Sequence, residues 1–200
     1  TREEEQGYLH VDKLTPDNAQ TEIKINGYPH YLAASPSDSQ ILYVTAAEGA
    51  DDRDAKFIMK SEDGGFSWSE LDWFKWLKMN RKDDYQHNVV SLTVDFRSPD
   101  IVYGVVAHSR LGFGKEPLRP ISIIKTADGG KTWTDITQGI YASVKEVAKK
   151  NGTSESLKLI LRIDPSNSSI VYFLEGKGMY RSNDGGKTWK SKSPVSKNVV

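Results

Sequence analysis

The sequence predicts an all-β protein of three repeated, four-stranded antiparallel units. Three observations carry that expectation. An octapeptide of pattern Ser/Thr-x-Asp-Gly-Gly-x-Ser/Thr-Trp occurs three times. A Pro/Ser/Asp-rich turn, followed by an apolar strand with a tyrosine at a fixed place, precedes each copy. Short apolar runs of strand length flank these turns, and internal repetition of this kind signals one supersecondary unit per repeat.

The octapeptides read Ser61-Glu62-Asp63-Gly64-Gly65-Phe66-Ser67-Trp68, Thr126-Ala127-Asp128-Gly129-Gly130-Lys131-Thr132-Trp133 and Ser182-Asn183-Asp184-Gly185-Gly186-Lys187-Thr188-Trp189. Asp-Gly-Gly between two strand-like stretches is a hairpin signal, because glycine takes positive φ at little cost and Asp bonds its own backbone. Phe57-Ile58-Met59, Ile121 to Ile124 and Met179-Tyr180 lead into the turns. Trp68, Trp133 and Trp189 are expected to begin the return strands and to pack into a core. The Ser/Thr hydroxyls satisfy neighbouring backbone groups. The aspartates serve as turn locks or as chemical groups. Threefold repetition favours locks, since scaffolding is repeated more readily than an active site.

Upstream of each octapeptide runs a second signature. It spans Ala34 to Val44, Asp95 to Val105 and Asp164 to Phe173, with Tyr43, Tyr103 and Tyr172 equivalent. Before it lies another strand, at Tyr31-Leu32-Ala33, Val89 to Val94 and Leu157 to Ile163. Each unit therefore holds strands A to D joined as a meander, over about 31–72, 89–139 and 157–195. Such units are propeller blades, and propellers have four to eight of them. Three blades are expected to form part of a larger or composite ring, completed by further blades from the same or another chain. Residues 1–30 form an N-terminal extension with strands at Tyr8 to Val11 and Thr21 to Ile25, one of them an outer strand of a preceding blade or a closing strand.

The octapeptide resembles the Asp-box, or BNR repeat, of sialidases and many other β-propellers. The resemblance implies a structural role, with the box turning between the third and fourth strands away from the active face. Sortilin-type receptors and photosystem-assembly propellers resemble this use of the repeat without catalysis. Sialidase-like and xyloglucanase-like enzymes use it as hydrolases. It implies an extracellular or secretory-lumen setting, in which the sequons at Asn151 and Asn167 are glycosylation candidates.

The extra length falls in the B–C and D–A connections. In a four-stranded meander these emerge at one edge, and the A–B and C–D turns at the other. Long loops on a rigid scaffold carry function. The inserts are Ala46 to Lys56 and His108 to Pro120; the D–A connections are Trp73 to Asn88 and Ile140 to Ser156, where Ser143 to Lys150 reads as a short helix stopped by glycine. The third blade is minimal and turns at Glu175-Gly176-Lys177-Gly178.

Composition excludes some classes. The 27 basic and 27 acidic side chains cancel, so no global field points to nucleic acid or membrane. No long apolar run makes a membrane span, and Thr1 starts no signal-peptide pattern. Cysteine is absent. No phosphate loop, zinc spacing or Ser/His/Asp arrangement appears among four histidines. No cofactor or metal is expected; Glu48 to Asp54 offers oxygen ligands without the spacing of a calcium loop.

On the long-loop edge Trp73, Trp76 and Tyr85 are candidates for stacking on a sugar or a protein partner. Alternatively, Trp73, Trp76 and Leu77 stand at helical spacing and pack down on the blades. His108, Arg110 and Arg119 offer a basic cluster able to clamp a carboxylate, although the Arg-Ile-Pro strand of sialidases is absent. Asp51, Asp52, Asp54, Asp83 and Asp84 share this edge, yet no spacing selects a pair for glycoside hydrolysis. Two readings stand: a non-catalytic binding or assembly module for a protein or glycan, or a glycoside hydrolase completed by other blades.

Overall fold

In the computed structural model the described residues are 8–9, 23–24, 27–47, 57–73, 85–110, 121–140, 159–175 and 178–192. They form three four-stranded antiparallel sheets and one two-stranded sheet. The first sheet joins β3 (Tyr28–Ala34), β4 (Leu42–Ala47), β5 (Phe57–Ser61) and β6 (Ser69–Glu70). The second joins β7 (Tyr85–Val94), β8 (Val102–Arg110), β9 (Ile121–Thr126) and β10 (Thr134–Asp135). The third joins β11 (Leu159–Asp164), β12 (Asn167–Glu175), β13 (Gly178–Ser182) and β14 (Lys190–Lys192). Each is a meander in chain order, as hairpins of this length require.

The register repeats from sheet to sheet. Leu42 pairs with Ser61, Val102 with Thr126 and Val171 with Ser182. Tyr43, Tyr103 and Tyr172 then stand opposite Lys60, Lys125 and Arg181. Even a bulge recurs, between Pro29 and Tyr31 in β3 and between Val89 and Ser91 in β7. A one-residue slip would turn every side chain to the wrong face, so shared register places equivalent residues on equivalent faces.

Two cores lie between successive sheets. Tyr43, Ile58 and Trp73 meet Leu92, Val94 and Trp133 in the first. Tyr103, Ile123 and Ile140 meet Leu161, Phe173 and Tyr180 in the second. Polar contacts cross at the rim: Tyr43 Oη donates to Pro99 O at 3.0 Å, and Tyr103 Oη donates to Gly185 O at 3.1 Å.

Three details differ from the sequence reading. The return strands start one residue after Trp68, Trp133 and Trp189. The tryptophan backbone still belongs to the turn, and the first two indoles donate back to Gly65 O at 3.0 Å and Gly130 O at 3.1 Å. Tyr85, His108 and Arg110 are strand residues rather than loop residues, because the β7–β8 ladder continues outward through Asn88–Ala107 to Tyr85–Arg110. β1 (Tyr8–Leu9) and β2 (Ile23–Lys24) pair with each other rather than joining a four-stranded sheet. The expected helix at 143–150 lies outside the described residues.

Candidate functional site at the long-loop edge

The two edges of the sheets differ in chemistry. At the octapeptide edge, the Asp and Ser/Thr side chains of each turn are spent on the turn itself. Asp63 Oδ1 accepts from Ser67 N at 2.9 Å, and Oδ2 accepts from Ser67 Oγ at 2.5 Å. Ser61 Oγ donates to Asp63 Oδ1 at 2.8 Å and accepts from Gly65 N at 2.8 Å. Thr126, Asp128, Gly130 and Thr132 repeat this pattern, as do Ser182, Asp184, Gly186 and Thr188. In each turn the first glycine N–H donates to a carbonyl at the A–B hairpin, on Gln40, Asp100 or, at the start of β12, Ser169.

These bonds favour the carboxylate over the acid. Asp128 and Asp184 are held at about 2 by the threonine four residues on, from an ordinary 3.8. Asp63 is lowered in the same way by Ser67. A depressed carboxylate stabilises the fold above its unfolded pKa. That contribution is lost as pH falls through the folded value, here between about 4 and about 2. A carboxylate so engaged is neither a base near neutral pH nor an open metal ligand.

The opposite edge is built from the ends of β4, β8 and β12 and the starts of β7, β9 and β13. Tyr85 and Arg110 are register partners at the outer end of the β7–β8 ladder, and His87 pairs with His108 two steps inward. The fold thus brings three of the six sequence candidates, Tyr85, His108 and Arg110, to one hairpin. Trp73 is elsewhere: it is fully buried in the first inter-sheet core, as the packing alternative expects. Trp76 and Arg119 lie outside the described residues, as do the acidic candidates Asp51, Asp52, Asp54, Asp83 and Asp84. Asn151 also lies outside them; Asn167 is exposed at the start of β12, its Oδ1 accepting from Ser169 N at 3.0 Å.

Two residues of this edge were missed by sequence reasoning. His87 is buried at the start of β7. Glu175 ends β12 and pairs with Gly178, so the two residues close the expected reversal between β12 and β13. It continues the inward alternation Val171, Phe173, Glu175, and it fills the register position held by Ala46 and Val106, both fully buried. Burial raises its pKa, and its Oε2 has no hydrogen-bond partner among the described residues. A carboxyl of this kind holds its proton longer than a surface glutamate. The only signal in the sequence was a charged residue at an inward strand position. Among the described residues no cluster of three or more His, Cys, Asp or Glu side chains is arranged to hold a metal, and no helix is long and apolar enough to cross a membrane.

No protein family and no curated protein matches the sequence. Solved structures do match. A GH74 xyloglucanase from Xanthomonas campestris superposes with a TM-score of 0.53 at 15% identity, over 82% of this chain and 23% of that one. A GH74 enzyme of Niastella koreensis gives 0.52 at 21% identity, over 83% and 22%. An ancestral GH74 enzyme gives 0.53 at 16% identity, over 98% and 24%. The chain folds as part of a β-propeller. The three sheets are its blades, and the chain spans about a quarter of the length of these structures. At such identities the likeness concerns the propeller fold and carries no activity with it.

Proposed function

We propose that this propeller segment is a non-catalytic binding or assembly module. Its octapeptides act as Asp-box locks, and its long-loop edge is offered to a protein or glycan partner in an extracellular or secretory-lumen setting. The observation that carries the reading is the division of carboxylates. The three octapeptide aspartates are consumed by their own turns on the far edge. On the long-loop edge the described residues include one buried carboxylate, Glu175. Glycoside hydrolysis needs two carboxyl groups facing each other across a bond, roughly 5–10 Å apart. Tyr85, His108 and Arg110, gathered on one hairpin, instead supply residue types common at binding hot spots.

Glu175 favours a second reading. A carboxyl whose pKa is raised by burial suits a general acid, and the similar folds include a xyloglucanase. In a hydrolase its partner would come from Asp51, Asp52, Asp54, Asp83 or Asp84, or from another blade.

Two assays on the full chain separate the readings. One follows reducing-end release from xyloglucan and sialyllactose. The other follows binding to arrayed glycans and displayed peptides. The expected result is no release above the blank, with an enriched ligand whose Kd rises about tenfold or more in Tyr85→Ala or Arg110→Ala at unchanged melting temperature. Sugar release that Glu175→Gln abolishes would overturn the binding reading in favour of the hydrolase.

A further inference from the structure

Where the third blade meets the long-loop edge, its face toward the second blade changes character. The register pairs Ala46–Phe57 and Val106–Ser122 of the first two blades become Glu175–Gly178. Two residues further along strand C, the buried Met59 and Ile124 become Tyr180. The third blade alone thus places a carboxyl and a phenol where Ala46 and Met59, or Val106 and Ile124, are apolar. Glu175 is 5% exposed and Tyr180 1%.

These residues meet at one spot. Cross-strand partners present their side chains on the same face, so the side chain that Gly178 lacks would lie beside Glu175. A Cβ there would stand 3.1 Å from Tyr180 Oη, which puts the phenol oxygen on the border of the same gap. Gly178 does not take positive φ, so the backbone does not call for glycine, and what distinguishes the position is the missing side chain. Burial raises the Tyr180 pKa, and the nearby Glu175 charge raises it further.

The arrangement is costly and incomplete. A buried carboxyl weakens a core that alanine or valine fills in the other blades, and local departures of this kind are kept where a protein uses them. Glu175 Oε2 has no hydrogen-bond partner among the described residues. Burial alone raises the Glu175 pKa, so no described cation acts on it. Charged groups inside proteins are paired, and the partner missing here is a positive donor. A lysine ammonium or an arginine guanidinium carries several donors and no acceptor. Either can donate to Oε2 and to Tyr180 Oη together, whereas a neutral sugar hydroxyl leaves a buried carboxylate charge uncompensated.

We propose that Glu175, Gly178 and Tyr180 form a subsite for a cationic nitrogen, the ammonium or guanidinium of a basic side chain on a protein partner. The proposal rests on the binding reading of the long-loop edge and narrows it to a partner with an exposed lysine or arginine.

The test titrates the isotope-labelled full chain with Nα-acetyl-lysine methylamide and Nα-acetyl-arginine methylamide. Their neutral counterparts, carrying Nε-acetylated lysine and citrulline, serve as controls. Binding is read from the backbone amide resonances of β12 and β13. The expected result is a saturable shift by both cations, with Kd on the order of 1–10 mM, and none by the neutral pair. Glu175→Gln keeps the side-chain shape, removes the charge and raises Kd about tenfold or more. Gly178→Ala fills the gap and does the same; circular dichroism checks that each variant is folded. Cations that shift nothing, neutral probes that shift β12 and β13 equally, or binding unchanged in Glu175→Gln overturn the proposal. An array-selected ligand that binds through Glu175 without a lysine or arginine overturns the cation and leaves the binding reading standing. Sugar release that depends on Glu175 overturns both.

Discussion

Trp73→Ala is expected to destabilise the chain by about 3–5 kcal/mol, the usual range for emptying a buried aromatic site. For a chain of this size that is a fall in Tm on the order of 10 °C. The side chain is wholly buried between the first two blades, against Tyr43, Ile58, Leu92 and Trp133. It lies in the core shared by the first two sheets, so its removal opens a cavity at the joint rather than within one blade. Urea unfolding followed by tryptophan fluorescence measures the loss. A variant that melts like the wild type but loses a bound ligand would return Trp73 to the binding surface and would contradict its place in the core.

Gly130→Ala is expected to cost about 2–5 kcal/mol, from two sources. Gly130 has φ of +94°, a region that residues with a Cβ occupy only under strain. A Cβ there would stand 2.4 Å from Leu71 Cδ1, on the preceding blade. The backbone cannot rotate away, because Gly130 N donates to the buried Thr126 Oγ1 at 2.9 Å. Gly186 repeats the arrangement, with φ of +92° and Ile136 Cδ1 at 2.4 Å, so Gly186→Ala should behave alike. Denaturant midpoints for both variants check this. A shift of less than about 0.5 kcal/mol, the range of neutral surface changes, would mean that the second glycine is not held in the left-handed region by its neighbours.

Much of this architecture was legible in the sequence, for identifiable reasons. The Asp-Gly-Gly turns were readable because their hydrogen bonds are local, closing between residues two to four apart. The common place of Tyr43, Tyr103 and Tyr172 set the register, and the fold followed from it. The extension of β7 and β8 to Tyr85 and Arg110 was not readable. Gln86-His87-Asn88 shows no apolar alternation, and its pairing depends on a partner strand across the hairpin. Glu175 was hidden because charge at a strand end normally marks a solvated turn, whereas here the side chain is buried. The inter-blade partners of Tyr43 and Tyr103 lie 56 and 82 residues away, beyond any local pattern.

If one edge of the blades holds the fold while the other meets the ligand, as proposed, substitutions at the two edges have separable effects. Asp128→Ala tests it most directly, because Asp128 stands at the octapeptide edge and collects its bonds from Thr126 and Thr132. Melting temperature and Kd for the array-selected ligand are measured on the same sample. The expected result is a lower melting temperature with an unchanged Kd for the folded fraction. Lost binding at an unchanged melting temperature would contradict it and would place the functional surface at the octapeptide edge.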